Sequence, residues 1–236
     1  MEVAAVLKLI KLEMKKVKMG AYIRSALIAN LAIVAIILLM IFASKNEGEV
    51  HFSKFDFIFF MVESMIKATF QIFSAVLLTK FVIEEFKSNT ITVLFMYPTN
   101  RKKLMSAKLI IVALFTFIAT VLSGIFINFV LLMINNFYSF SADKLTTTIL
   151  VNNLITIIVT GVTSAGIGLI PLYFGMRKKS VPATIVSAII MVSILNSGGT
   201  GFSLGAIIAI PISLAVIGIT VAYLSIRNIE HRDITN

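Results

Sequence analysis

The chain has 236 residues, 58% hydrophobic and only 14% charged, with a net charge of +10 and a mean hydropathy of +1.01. Soluble domains carry about 25% charged and about 45–50% apolar residues, so a water-soluble globule is excluded. With no cysteine, disulfides and thiolate metal sites are excluded too. His51 and His231, far apart in the chain, offer no metal pair.

Val3, Val6, Leu7, Ile10, Met14 and Val17 share one helical face, and Lys8, Lys11, Lys15 and Lys18 another, while Leu9 and Leu12 fall outside the stripe. The pattern predicts a basic amphipathic helix over residues 2–19, lying in the headgroup plane against anionic inner-leaflet lipid. Six apolar runs follow, at 21–43, 57–83, 104–134, 145–174, 181–195 and 202–226. A spanning helix needs about 20 mostly apolar residues, so the chain is expected to be all-α, with six transmembrane helices in a single transmembrane domain over 1–236. The fifth run is short. The polar, Gly-rich NSGGTGFSLG after it (196–205) leaves two readings, a break near the outer surface or a span that borrows these residues. If the N-terminus is cytoplasmic and the chain crosses six times, 17 of the 21 basic residues lie on the inner side. This bias puts both termini in the cytoplasm and explains the basicity as topology, with no nucleic-acid partner.

Inside the runs, polar residues are few. Glu63, Lys67 and Gln71 of the second fall at i, i+4 and i+8, near one helical face, and a Glu four residues before a Lys can form an intrahelical pair. An ionisable group costs about 2.5–3.5 kcal/mol in hydrocarbon on insertion scales, so these face protein or a wet cavity. With Asn128 of the third run and Asn152 of the fourth, they are candidates for lining a substrate path. The other reading is that the charges sit near the outer headgroups and anchor the helix. Gly161/Ala165 and Ser164/Gly168 give the fourth run small residues at four-residue spacing, suited to close packing, and Pro171 predicts a kink at its inner end. No phosphate-binding G-x-x-x-x-G-K-[ST] loop, no H-E-x-x-H and no membrane-embedded Ser–base pair occur. The Glu84–Glu85 pair lacks the Arg and His residues that an intramembrane protease would need. An enzyme is not expected, nor a cofactor in this chain.

The stretch FVIEEFKSNTITVLFMYPTNRKKLMSAK, 81–108, is a polar island between two spans. Residues 84–97 read as a short cytoplasmic helix with acidic residues at its start. Pro98 ends it, Thr99 or Asn100 can cap the next helix, and Arg101, Lys102 and Lys103 open that helix. Its apolar residues are too many for a free loop and call for a partner or the membrane interface. The arrangement Phe81-x-x-Glu84, Thr90-Ile91, Leu94, Pro98, Arg101, Ala107-Lys108, behind a basic N-terminal helix, resembles the inner loop of bacterial ABC-2-type transporter permeases.

That resemblance covers essentially the whole chain and implies an exporter permease. Its 84–97 helix would couple to a separate ATPase, present in two copies, that binds ATP and Mg. Glu84, Glu85, Phe86, Thr90, Leu94 and Phe95 would lie on or near the docking surface, and Pro98 and Arg101 would fix the return into the third span. A second permease, expected to be a copy of this one, would complete the substrate path. Small permeases of this kind are similar to exporters of peptides, among them bacteriocin-immunity, bacitracin-resistance and phenol-soluble-modulin exporters. The Lys-, Ile- and Asn-rich composition adds a low-GC Gram-positive host and an amphipathic peptide substrate to the expectation. The short 196–205 link departs from larger members, which carry a helical insertion there. A stand-alone secondary transporter or channel and a non-transporting immunity protein are the competing readings.

Overall fold

The computed structural model describes residues 9–10, 13–14, 19–47, 55–87, 101–138, 146–196 and 209–227. Every regular element among them is helical. These are α1 (Met19–Glu47), α2 (Phe55–Leu78), a π-helical turn (Thr79–Ile83), α3 (Glu84–Lys87), α4 (Arg101–Tyr138), α5 (Thr147–Ile167), α6 (Pro171–Lys178), α7 (Val181–Asn196) and α8 (Ala209–Arg227). Five segments are long and apolar enough to cross a membrane: 19–44, 55–86, 102–136, 147–178 and 209–227. The short fifth run forms α7, an apolar helix of 16 residues. The 197–205 part of the Gly-rich link lies outside the described residues.

The bundle is organised around α2 and α5. In each of the two spans they anchor, 61% of the most apolar window is buried, against 33% for α1 and 22% for α8. On α2, Ile58, Val62, Ile66 and Phe70 recur every four residues and are all but fully buried. They pack against Ile33, Ile37 and Ile41 of α1 and Ile127 and Leu131 of α4. The spacing of four keeps one stripe of the helix turned inward. A second core, at the other end of α2, gathers Leu77, Phe81, Ile83, Met105, Val112 and Leu172, with Phe86 packed on it.

The kink expected at Pro171 is a full break. α5 ends at Ile167, a turn occupies Gly168–Ile170, and α6 starts on Pro171, where a missing N–H costs nothing. The small residues do what their spacing predicts. A Cβ on Gly161 would meet the side chains of Val121 and Phe117 of α4, at 2.6 and 3.1 Å. α8 buries a narrow stripe of Pro211, Ala215, Gly218 and Ala222, and its crossing with α5 is backbone against backbone. A Cβ on Gly166 would lie 2.8 Å from the Cα of Ala215, and one on Gly218 2.8 Å from the carbonyl carbon of Gly166. Large side chains on the other faces of α8 (Ile212, Val216, Ile219, Tyr223) are exposed. In a chain this apolar, that surface suits lipid or a second membrane subunit.

Helix α2 does not stop where the apolar run ends. The π turn carries it on: the Glu84 N–H donates to the Thr79 carbonyl, five residues back, and α3 continues without a gap. Glu84 therefore prolongs a spanning helix, where the sequence had suggested the start of a separate one. α4 begins at Arg101, as the basic cluster predicts. The link 88–100 lies outside the described residues.

Candidate functional site

Two polar clusters interrupt the apolar bundle, separated by about 33 Å of helical rise along α2. The first lies at the end that carries Lys102, Lys103, Arg177 and Lys178. Lys108 enters α4 among Leu104, Met105, Ala107 and Leu109, all buried, and keeps 3% of its side chain exposed. Its ammonium donates to a carboxylate oxygen of Glu85 and, at 3.0 Å, to the Phe81 carbonyl inside the π turn. At 3.8 Å stands the carboxylate of Glu13, 6% exposed, from the N-terminal segment. One cation thus joins three stretches distant in sequence. Taking such charges out of water costs several kcal/mol per ion, and mutual attraction repays it only where geometry and extra hydrogen bonds are good. The neighbouring residue, Glu84, faces the other way and pairs with Lys80 at 2.8 Å, both about half exposed.

The second cluster lies between α2, α4 and α5. The Glu63–Lys67 pair forms as its spacing predicts, at 2.6 Å and with both side chains 20% exposed. Thr160 of α5 donates its hydroxyl to the same carboxylate. Asn128 of α4 donates its side-chain amide to Asn153 of α5 at 2.7 Å. A cavity of about 20 Å³ lies among these groups, lined by Glu63, Thr120, Asn128, Asn153, Thr156 and Thr160 together with apolar neighbours. Two atoms of its lining residues, Thr120 Oγ1 and Asn128 Oδ1, are buried without a hydrogen-bond partner. A second cavity-like feature is an apolar groove of about 360 Å³ between the N-terminal segment, α1 and α4, in which Asn30 and Ser123 are the polar residues.

Of the residues singled out from sequence, Glu63 and Asn128 line this cavity, and Lys67 reaches it only through its pair with Glu63. Gln71 is buried lower on α2, and Asn152 is exposed on α5; the residue that faces Asn128 is Asn153, one position on. In the inner loop, Glu84 is half-exposed, Glu85 is turned inward to Lys108, and Phe86 is part-buried against the adjoining core. Thr90, Leu94, Phe95 and Pro98 lie outside the described residues, and Arg101 is described only as the start of α4. Of the N-terminal helix, residues 9–10 and 13–14 are described; Ile10 packs on the core and Met14 is exposed. Lys8, Lys11, Lys15 and Lys18 lie outside. Sequence reasoning passed over Glu13, Thr120, Asn153 and Thr160. Glu13 was visible as the acid among the lysines of that helix.

Comparison with known proteins decides the family. A family model described as "ABC-2 family transporter protein" matches residues 9–196. The chain belongs to the ABC-2 transporter family. The ABC-2 chain is also 40% identical over 227 residues to the uncharacterized protein YcbO of Bacillus subtilis (strain 168), a match covering 96% of this chain and all of the relative. No solved structure matches it. ABC-2 permeases are the membrane subunits of ABC transporters, so this ABC-2 chain is a multi-pass membrane protein, and no nucleotide-binding loop occurs in its sequence.

Proposed function

We propose that this permease is the transmembrane half of an exporter powered by a separate ATPase that docks on the 84–97 segment. The observation that carries the reading is the Glu13–Lys108–Glu85 cluster. It ties the N-terminal segment, the end of the α2 rod and the start of α4 into one unit, on both flanks of the link 88–100. A force on that link reaches α2 and α4 together, because packed elements joined by buried charges respond as a body. Glu84 belongs to the exposed rim of the docking surface. Glu85 acts from inside, through Lys108, and Phe86 holds the segment to the core. Leu94 and Phe95 are the apolar anchors in the partner's groove, with Thr90 beside them and Pro98 and Arg101 setting the return. ATP and Mg belong to the partner.

In this reading the basic end faces the cytoplasm and anionic lipid, and both termini are inside. Two permeases, copies of this chain, and two ATPases make the working unit. Amphipathic peptides leave the cell through a path that includes Glu63, Lys67 and Asn128, in the cytoplasmic membrane of a Gram-positive bacterium. The Bacillus relative fits that host. The test is co-purification with the ATPase encoded nearest this gene. Leu94→Ala with Phe95→Ala should release it, since truncating a central apolar anchor costs about 1–2 kcal/mol or more, while Glu84→Gln should weaken the pair far less. Retention of the ATPase by the double variant would overturn the docking assignment.

A further inference from the structure

We propose that the apolar groove between α1 and α4 holds one acyl chain of an anionic phospholipid, whose headgroup is fixed by Arg24. The groove runs along α1 from Met19 to Asn30 and along α4 from Ile110 to Ser123. Ile10 and Met14 of the N-terminal segment line its basic end. Past Asn30 the two helices join a common core through Ile33 and Ile127. Between these limits Ile23, Leu27, Leu114 and Leu122 are each more than half exposed, so the long side opens to the bilayer. Eleven residues separate Met19 from Asn30, about 16.5 Å of helical rise. One leaflet's share of a hydrocarbon core of about 30 Å is about 15 Å, so the groove is one leaflet long. Asn30, with its Oδ1 unpartnered, and Ser123 are both buried and put polar groups where the apolar wall stops. An acyl chain brings them no donor, so it gains nothing by reaching further.

Charge lies at one end only. Arg24 is the single charged residue of the 19–44 span. It is exposed, three residues before Leu27 and therefore about 60° round the helix from it, at the groove's rim. No carboxylate among the described residues pairs with it. Side chains lean toward a helix's N-terminus, here the basic end, and a long Arg snorkels in that direction to headgroup level. A guanidinium can take two oxygens of one phosphate. Lys8, Lys11, Lys15 and Lys18 precede it in the sequence and add to the attraction for a head of net negative charge. The occupant this calls for has an anionic head and an apolar body one leaflet long, which is a phospholipid. An extended peptide would carry unpaired amides along an apolar wall. That the lipid comes from the inner leaflet rests on the proposed orientation; the groove and the charge at its end do not.

The chain has no tryptophan, so a single introduced one reports its own surroundings. Leu114→Trp puts it on the groove wall. Val216→Trp, on the outer face of α8 and 55% exposed against 52% for Leu114, reports ordinary boundary lipid. Each full-length variant is purified and reconstituted without an ATPase into vesicles of phosphatidylcholine and phosphatidylglycerol. One lipid or the other carries bromine, a contact quencher, on its acyl chains. Quenching against mole fraction gives the preference of each position for the anionic lipid. Leu114→Trp should prefer phosphatidylglycerol by about fivefold or more, the worth of one cation beside anionic lipid, and Val216→Trp should show no preference. Adding Arg24→Gln to Leu114→Trp should bring its preference down to that of Val216→Trp. Equal preferences at the two positions (boundary lipid only) would overturn the proposal, as would a preference that survives Arg24→Gln. So would a Leu114→Trp protein that neither brominated lipid quenches, its groove filled by a second copy or another occupant. Ile118→Trp, one turn along the same wall, is the second reporter should Leu114→Trp not reconstitute. With no ATPase present, failure here leaves the docking assignment standing, and failure of docking leaves this result standing.

Discussion

Replacing Lys108 with Met tests whether the buried cluster holds the basic end of the bundle together. The side chain is nearly isosteric, so packing is kept and charge is lost. Glu85, with 11% of its side chain exposed, then stays buried against an apolar partner, Glu13 at 8% likewise, and the Phe81 carbonyl loses a donor. Breaking one side of a buried ion pair costs about 3–5 kcal/mol. For a chain of this length about 2–4 °C of melting temperature follows each kcal/mol, so the loss should be roughly 6–20 °C. The control is the partner of the neighbouring carboxylate, Glu84. Lys80→Met breaks the Lys80–Glu84 pair, which is about half exposed, and should cost about 0–1 kcal/mol, or at most a few degrees. Adding Glu85→Leu to Lys108→Met removes the stranded carboxylate and should recover much of the loss, since an apolar replacement of a buried pair is often near neutral. The readout is the temperature at which half the protein leaves the monodisperse peak on size exclusion in detergent. If Lys108→Met melts within about 2 °C of Lys80→Met, the cluster is a surface feature and the unit it was argued to form does not exist.

Two contrasts elsewhere follow the same logic. Gly218→Ala should destabilise the bundle by about 1–3 kcal/mol, because its Cβ would meet the backbone of Gly166. Gly20→Ala, with nothing within 4 Å of a Cβ there, should be neutral or gain about 0.5–1 kcal/mol of helix propensity; the melting temperatures should move in opposite directions or differ by several degrees. Asn153→Leu strands the buried amide of Asn128 and should cost about 1–3 kcal/mol, whereas Asn152→Leu, on the exposed face, should stay within about 0.5 kcal/mol, a comparison made by the same assay.

Much of this was legible in the sequence because a bilayer leaves a chain few options. The apolar runs, the Gly161/Ser164/Gly168 stripe and the Glu63–Lys67 pair follow from spacing alone, since each depends on one helix and its period, while Pro171 marked an interruption that was expected as a kink and is a full break. What depended on two helices was harder. Asn152 and Asn153 are adjacent and chemically identical, and only the rotation of α5 against α4 decides which of them meets Asn128. Lys108 entered the sequence reading only as part of the inner-loop motif, yet it lies beyond Lys103 by more than one turn, on the buried side of α4. Its partner Glu13 is 95 positions away in a helix whose lysines drew the attention. Glu84 and Glu85 read as a pair, but neighbours on a helix point about 100° apart, and the bundle separates one from the other.

The π turn at Thr79–Ile83 sets that separation. Five residues fill a turn that an α-helix closes with four, so the turn behaves as a one-residue insertion into α2, carried without unwinding it. Everything beyond is advanced by about 100° relative to an uninterrupted helix. Wound as an unbroken α-helix, the same residues would bring Glu84 round to the place Glu85 holds beside Lys108, whereas deleting one residue inside the turn would restore a regular rod and leave Glu85 there. The chain would cross the bilayer in either case, its hydrophobic length scarcely altered, but a π turn relaxed to α would leave its last turn dialled to the wrong stop. The angular setting of the segment that leads into the link at 88–100 is thus written in how one extra residue between Leu78 and Glu84 is wound, independently of its chemistry.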